Sequence, residues 1–204
     1  MARYWKYYSI ALATLLLDQA IKLWVYGNME MGLLGQIKLL GNWFKLFYTL
    51  NPGMAFGIEF GFQYDKIILT IIRIIATAMI GHHIWQLSKD KHISPYLLGG
   101  WALILGGAAG NGIDSIFYGK LLNNMPDGVP MSWFYGQVID MFYLDVWTGV
   151  LPTWLPWFSG HHVTVFPVFN LADVAILGGV SLIIFGKNSD VTASQEPDFK
   201  ATHA

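Results

Sequence analysis

Four apolar stretches, roughly residues 7 to 26, 67 to 87, 95 to 117 and 164 to 186, constrain this chain more than any other feature. Each comes close to the run of about 20 predominantly apolar residues that a helix needs to cross the hydrocarbon core of a bilayer. A segment in lipid must satisfy its backbone polar groups internally, and an α-helix does so within itself. The expected fold is therefore an all-α polytopic membrane protein with four transmembrane helices. Their even spacing makes residues 1 to 187 a single domain. Composition agrees: only 12% of the 204 residues are charged, where a soluble domain carries roughly a quarter. A net charge of -1 gives no electrostatic case for nucleic acid. The absence of cysteine excludes disulfides, thiolate nucleophiles and cysteine-based metal sites.

Arg3 and Lys6 precede the first stretch, Lys89 and Lys91 lie between the second and third, and Lys187 follows the fourth. Basic residues favour the cytoplasmic side, so both termini are expected there. Lys38, Lys45, Lys66 and Lys120 fall on the opposite side and weaken the bias. The N-terminal run lacks a small-residue cleavage site and reads as a retained helix, not a signal peptide. The two external segments, about 27 to 66 and 118 to 163, are too long and too aromatic for simple turns. Ile37 to Leu50 mixes lysines with β-branched and aromatic residues, which suggests short strands in a small β-rich or interfacial platform. The second segment, with Pro126, Pro130, Pro152 and Pro156 among Trp133, Trp147, Trp154 and Trp157, reads as an irregular interfacial lid. Residues 188 to 204 form a polar tail expected to be disordered and cytoplasmic.

Ionisable residues are costly inside a membrane, so each one within a span is a functional hypothesis. Asp18 and Lys22 lie four apart in the first helix, a spacing that suits an ion pair with a structural role. Arg73 in the second helix can snorkel outward or meet a carboxylate. Asn111 precedes Asp114 by three residues in GGAAGNGID, and Asn170 precedes Asp173 by three in FNLAD, which would set each pair on one helical face. Opposite helix directions place Asp114 and Asp173 at similar depth, near the outer side. Glycines at 99–100, 106–107, 110 and 178–179, with Ala108 and Ala109, offer surfaces over which helix backbones can approach closely. Asp140, in GQVIDMFYLD, lies in the external segment on a short apolar stretch expected to lie on the membrane surface, and can reach the same depth from outside.

Two converging carboxylates with restricted water cannot both ionise easily, so they share a proton. Such a pair can activate water against a peptide carbonyl and protonate the leaving amine. The residues alone leave open which two of Asp114, Asp140 and Asp173 act. His82 and His83 suit interfacial anchoring more than a metal site, and no G-x-S-x-G elbow accompanies Ser159, His161 and His162. No metal or cofactor is expected.

Five blocks in order carry a family resemblance: LDQAIKLWV, NPGMAFG, GGAAGNGID, VIDMF and FPVFNLADVAI. Over nearly all of residues 9 to 186 the chain resembles lipoprotein signal peptidase, the signal peptidase II of bacteria. The resemblance implies an aspartyl endopeptidase of the inner membrane with its active site facing the periplasm. Its substrate would be a prolipoprotein whose cysteine already bears diacylglyceryl, cut just before that cysteine, with membrane lipid around it. By motif position, Asp140 and Asp173 would be catalytic, Asn51, Gly53, Asn111, Asp114, Asn170 and Ala172 would shape the pocket, and Asp18 and Lys22 would serve stability. Inhibition by globomycin-type peptides would follow. The family usually has Arg directly after the Asp of the third-helix motif; Ser115 stands there, and Arg73 or Lys120 is the candidate to supply that charge. The competing class is a small intramembrane-carboxylate transporter or channel. Transporter sites commonly lie at the midplane between repeated halves, and this chain has neither feature.

Overall fold

The computed structural model describes residues 2–52, 65–146, 148–150, 162–164 and 166–193. Gly53, Ala55, Phe56, Ser159, His161 and residues 194–204 lie outside that set. Long helices form at α1 (Ala2–Asn28), α2 (Asp65–Leu87), α3 (Pro95–Ile113) and α5 (Leu171–Ala193), with a single turn at α4 (Gly119–Leu121). Within α1 and α2, Tyr4–Asn28 and Asp65–Leu87 are long and apolar enough to cross a membrane, and the apolar part of α5 covers Leu171–Gly186. Leu12, Leu16, Leu17, Ile68, Ile72, Ile75, Leu177 and Ile184 point outward, as side chains do when lipid is the solvent.

α3 is the hub, packed against α1, α2 and α5. Ser94 and Pro95 start it: the Ser94 hydroxyl accepts from the Tyr96 amide at 3.3 Å, and proline occupies the first helical turn. Its glycines permit the crossings. A Cβ on Gly100 would sit 2.6 Å from the Gly179 carbonyl, and one on Gly107 would strike the Ala172 carbonyl. A Cβ on Gly106 would sit 2.7 Å from the Ala11 carbonyl of α1. Gly99 and Gly178 face open space, so the 99–100 and 178–179 pairs each contribute one member to a contact, whereas both members of 106–107 are used.

At the end of the bundle holding the end of α1 and the starts of α2 and α5, an antiparallel sheet forms in the order β1 (Ile37–Leu40), β2 (Phe44–Asn51), β3 (Val138–Leu144). The expected strands within Ile37 to Leu50 are thus present. Val25, Met29, Tyr48, Tyr118, Ile139 and Met141 form a core that joins α1 to this sheet. A second core, Tyr7, Ile84, Leu98 and Ala102, closes the other end. β4 (Thr148–Val150) and β5 (His162–Thr164) make a separate antiparallel pair.

Three expectations need correction. Asp140 lies on strand β3, paired opposite Thr49 of β2, rather than on an apolar stretch flat against the membrane. The main-chain demand for partners explains this: edge strand β3 gains its ladder from β2. The last helix begins at Leu171, not near 164, because residues 162–164 are in β5 and Phe169 is bridged to Phe142. It continues to Ala193, through the first residues of the segment expected to be a disordered tail. In α3 the helix changes at Asp114–Tyr118 to a π turn. That turn frees carbonyls, and the loop at 132–136 supplies donors: Gly136 N to Ser115 O at 3.0 Å and Phe134 N to Ile116 O at 3.1 Å. The loop fits backbone to backbone, since a Cβ on Gly136 or Gly119 would overlap the Asp114 or Ser132 carbonyl.

Candidate active site

Two clusters of carboxylates lie side by side where α1, α3, β3 and the start of α5 meet. The first is closed. Lys22 Nζ is 2.9 Å from Asp18 and 2.8 Å from Asp114, all three side chains being fully buried. The i,i+4 pair expected in α1 is therefore real, and it extends to α3. Lys22 also donates to Asn111 Oδ1 at 2.9 Å. Gln19 donates to Asp114 Oδ1 at 2.9 Å and accepts from the Tyr118 hydroxyl at 2.8 Å. Asp114 Oδ2 accepts from the Ile139 amide at 3.3 Å, and Asp18 Oδ1 accepts from the Ala172 amide at 3.0 Å. Ala172 thus contributes its backbone and a tight crossing with Gly107. Nearly every lone pair and proton is used, which is the condition for keeping such charges out of water.

The second cluster comprises Asp140 and Asp173. The bridge between Phe142 and Phe169, with Phe142 N to Phe169 O at 2.8 Å and Phe169 N to Phe142 O at 3.0 Å, fastens the entrance of α5 to β3. Asn170, the next residue, then meets Asp140: its Nδ2 donates to Asp140 Oδ1 at 2.6 Å and lies 3.1 Å from Asn111 Oδ1. Asn170 is also the cap of α5. Its Oδ1 accepts from the Asp173 amide at 3.0 Å, while its own amide donates to Asp173 Oδ2 at 3.1 Å. This reciprocal pair has the form of a capping box. Asn170 and Asp173 therefore interact across a helix start, and the expectation that they share a face within the helix is corrected. Asn111 Nδ2 donates to the other oxygen of Asp173 at 3.0 Å, and Asn51 Nδ2 donates to Asp140 Oδ2 at 2.9 Å.

No lysine or arginine pairs with Asp140 or Asp173 among the described residues. Asp140 is only 2% exposed, and burial pushes its carboxyl up to about 7; the hydrogen bond from Asn51 opposes this and the charge of Asp173 adds to it. Asp173 is partly exposed, so the cluster has a buried member and one open to a reactant.

Most expected residues converge here. Asn51, Asn111, Asp114, Asp140, Asn170 and Asp173 join the two clusters, and Asp18 and Lys22 complete the closed one. Arg73 neither snorkels nor pairs with a carboxylate among the described residues: its Nη1 donates to Ser115 Oγ at 2.6 Å. Lys120 is exposed. His82 bonds with Gln86 at 2.7 Å and His83 meets the Trp101 ring edge-on, far along α2 from the carboxylates. No metal-binding cluster occurs among the described residues. Gln19 and Tyr118 are additions; the one available signal was a glutamine adjoining Asp18 in an apolar helix.

The comparisons with known proteins agree with one another. The family profile described as signal peptidase (SPase) II matches residues 10–187. The chain is 70% identical over 187 residues to the lipoprotein signal peptidase of Amoebophilus asiaticus (strain 5a2), covering 92% of this chain and 79% of that protein. It is 37% identical over 186 residues to the lipoprotein signal peptidase of Porphyromonas gingivalis (strain ATCC BAA-308 / W83), covering 86% of this chain and 80% of the other. In fold it is similar to a bacterial membrane enzyme solved by the in meso method at 2.3 Å resolution, with a TM-score of 0.59 and 24% identity over 96% of this chain and 94% of that one.

Proposed function

The chain belongs to the signal peptidase II family, aspartic peptidases that remove signal peptides from prolipoproteins, and we propose that Asp140 and Asp173 are its catalytic pair. One observation carries the assignment: Asn170 donates to Asp140 and, through the cap of α5, fixes Asp173, so a single residue holds both carboxyls around one space. Asp114 is the carboxylate set aside, because Lys22 and Gln19 occupy its oxygens.

The reaction follows from one proton shared by the pair. An ionised carboxylate takes a proton from water as its oxygen attacks the scissile carbonyl carbon. The protonated partner donates to the carbonyl oxygen, giving a neutral gem-diol. Collapse returns a gem-diol proton to the partner carboxylate, reforms the carbonyl and breaks the C–N bond, the nitrogen receiving its proton from the carboxyl that took it from water. The signal peptide leaves with a new carboxyl terminus, and the cysteine becomes an amino terminus. Asn111 and Asn170 supply neutral donors that orient both carboxylates without holding them as ions, unlike a lysine.

The four long helices are its membrane spans, with the sheet and dyad at the periplasmic face of the bacterial inner membrane and both termini in the cytoplasm. The substrate is a prolipoprotein carrying diacylglyceryl on the cysteine after the cut. Acyl chains held in the bilayer fix the scissile bond at its outer edge, beside β3 and the start of α5. Globomycin-type peptides occupy the same place and inhibit. Gly53 belongs to this pocket by its motif.

The test is cleavage of a purified diacylglyceryl-modified prolipoprotein in detergent micelles by the wild type, Asp140→Asn and Asp173→Asn, beside an unlipidated control. Loss of cleavage in both folded variants and no cut in the control is the expected result. Full activity in either variant defeats the dyad.

A further inference from the structure

We infer that Arg73 of α2 is a substrate-positioning residue, whose guanidinium binds main-chain carbonyl oxygens of the signal peptide just before the scissile bond. The inference rests on the proposed Asp140 and Asp173 dyad.

Arg73 stands eight residues into α2 from Asp65, about 12 Å along the helix at 1.5 Å per residue. That is an expensive depth for a guanidinium, and its partners have to account for it. The single hydrogen bond found for its side chain among the described residues is Nη1 to Ser115 Oγ. Ser115 is fully buried and its hydroxyl donates a hydrogen bond to the Asn111 carbonyl at 2.9 Å. The π turn at Asp114–Tyr118 begins here, the kind of local unwinding found at functional sites. Ser115 thus fixes one edge of a planar fork that has five N–H donors. The remaining donors find no carboxylate in pairing distance among the described residues, although the charges of Asp114, Asp173 and Asp140 all act on the guanidinium.

The nearby lysines are differently committed. Lys22 is consumed by Asp18, Asp114 and Asn111. Lys66, about two turns nearer the start of α2, donates to the Pro52 carbonyl at 2.6 Å and is 6% exposed. Lys120 faces outward. Arg73 therefore combines nearness to the dyad with donors that no described residue takes up. Thr70, one turn outward, is engaged by the Phe134 carbonyl at 2.9 Å, so this face of α2 is held against the 132–136 loop and the fork is held with it.

An uncharged peptide drawn out of its helix for cleavage exposes carbonyl oxygens in a place with little water. A fixed guanidinium fork satisfies two of them at once. Arg73 lies within the apolar span of α2, so the segment it meets is the one still in the bilayer, ahead of the cut.

The experiment measures kcat and KM for a diacylglyceryl-modified prolipoprotein in micelles, with thermal unfolding of each variant. Arg73→Gln is expected to raise KM about tenfold, the scale of a lost charge-assisted hydrogen bond, with kcat within about threefold. Arg73→Gln combined with Ser115→Arg returns a guanidinium to the same place and is expected to recover KM to within about threefold of wild type. A folded Arg73→Gln enzyme with unchanged KM, or one that loses kcat alone, overturns the inference. If Arg73→Gln does not fold, Arg73→Lys replaces it: raised KM supports the fork and unchanged KM overturns it. A wild type that cannot cut the lipidated substrate refutes the dyad reading itself; a wild type that cuts, beside an Arg73→Gln enzyme with unaltered KM, refutes this inference alone.

Discussion

The closed cluster of Asp18, Lys22 and Asp114 and the neighbouring pair of Asp140 and Asp173 are made from the same side chain in the same part of the molecule, yet they have opposite character. In the first, one ammonium lies within 2.9 Å of both carboxylates, and amides of the glutamine side chain and of two backbones complete the shells. In the second, neutral asparagines do the holding and no cation intervenes among the described residues. A carboxylate becomes a structural group when a buried cation and fixed donors occupy its oxygens. It becomes an acid or base when its surroundings leave both protonation states within reach. Asn111 touches both clusters, giving an oxygen to Lys22 and an amide to Asp173, so the inert part aligns the reactive part.

The strongest way to break this comparison is to neutralise one carboxylate in each cluster. Asp140→Asn and Asp173→Asn are expected to lower cleavage by about 1,000-fold or more with unfolding temperature nearly unchanged, since they remove general acid–base catalysis. Asp114→Asn should act chiefly through stability, measured by thermal unfolding in the same detergent. An Asp114→Asn enzyme that unfolds like wild type but does not cut would erase the distinction.

Removing the cation is expected to come next in size. Lys22→Met leaves Asp18 and Asp114 buried without a counter-charge, and breaking a buried pair costs about 3–5 kcal/mol. Denaturant titration of the detergent-solubilised protein measures that loss, and a gain in stability would contradict the role given to Lys22.

The pH dependence sharpens the other half. Burial lifts Asp140 from 3.8 to about 7, so the folded protein holds a proton there that the unfolded chain has released. With the folded state binding more protons, this group's contribution to stability is fully present below about 4 and is lost as pH rises through about 7. Cleavage that needs the shared proton falls over the same upper part of the range, about tenfold per pH unit beyond the transition. Rates measured from pH 5 to 9 check this, and a rate that keeps rising past 8 contradicts it. Asn51→Ala gives the smallest effect: removing an amide that favours the ionised form moves the alkaline limb upward by about one unit or less. A downward shift would mean that Asn51 favours the protonated acid.

Much of this was legible in the residues. Long apolar runs forced helices, and Asp18 with Lys22 four residues later formed the pair that helix geometry favours. Mixed lysine and β-branched residues near Ile37 to Leu50 became strands. The helix-face reading of Asn170 and Asp173 failed because the same three-residue spacing also describes a helix cap, and periodicity does not separate the two. Gln19 was overlooked as a ligand of Asp114 because its partners lie on α3.

The sequence by itself determined the solvent, the long helices and the set of carboxylates from which the site is drawn, because transfer of side chains into lipid and the helical repeat are local properties of the chain. The division of labour among those carboxylates was decided by tertiary structure. Asp114 and Asp140 are alike as letters, and burial acts on both. Lys22, donated across the bundle from α1, reaches one, while the Phe142–Phe169 bridge brings Asn170 to the other. Contacts between residues so far apart in the chain arise only when the helices and the sheet pack.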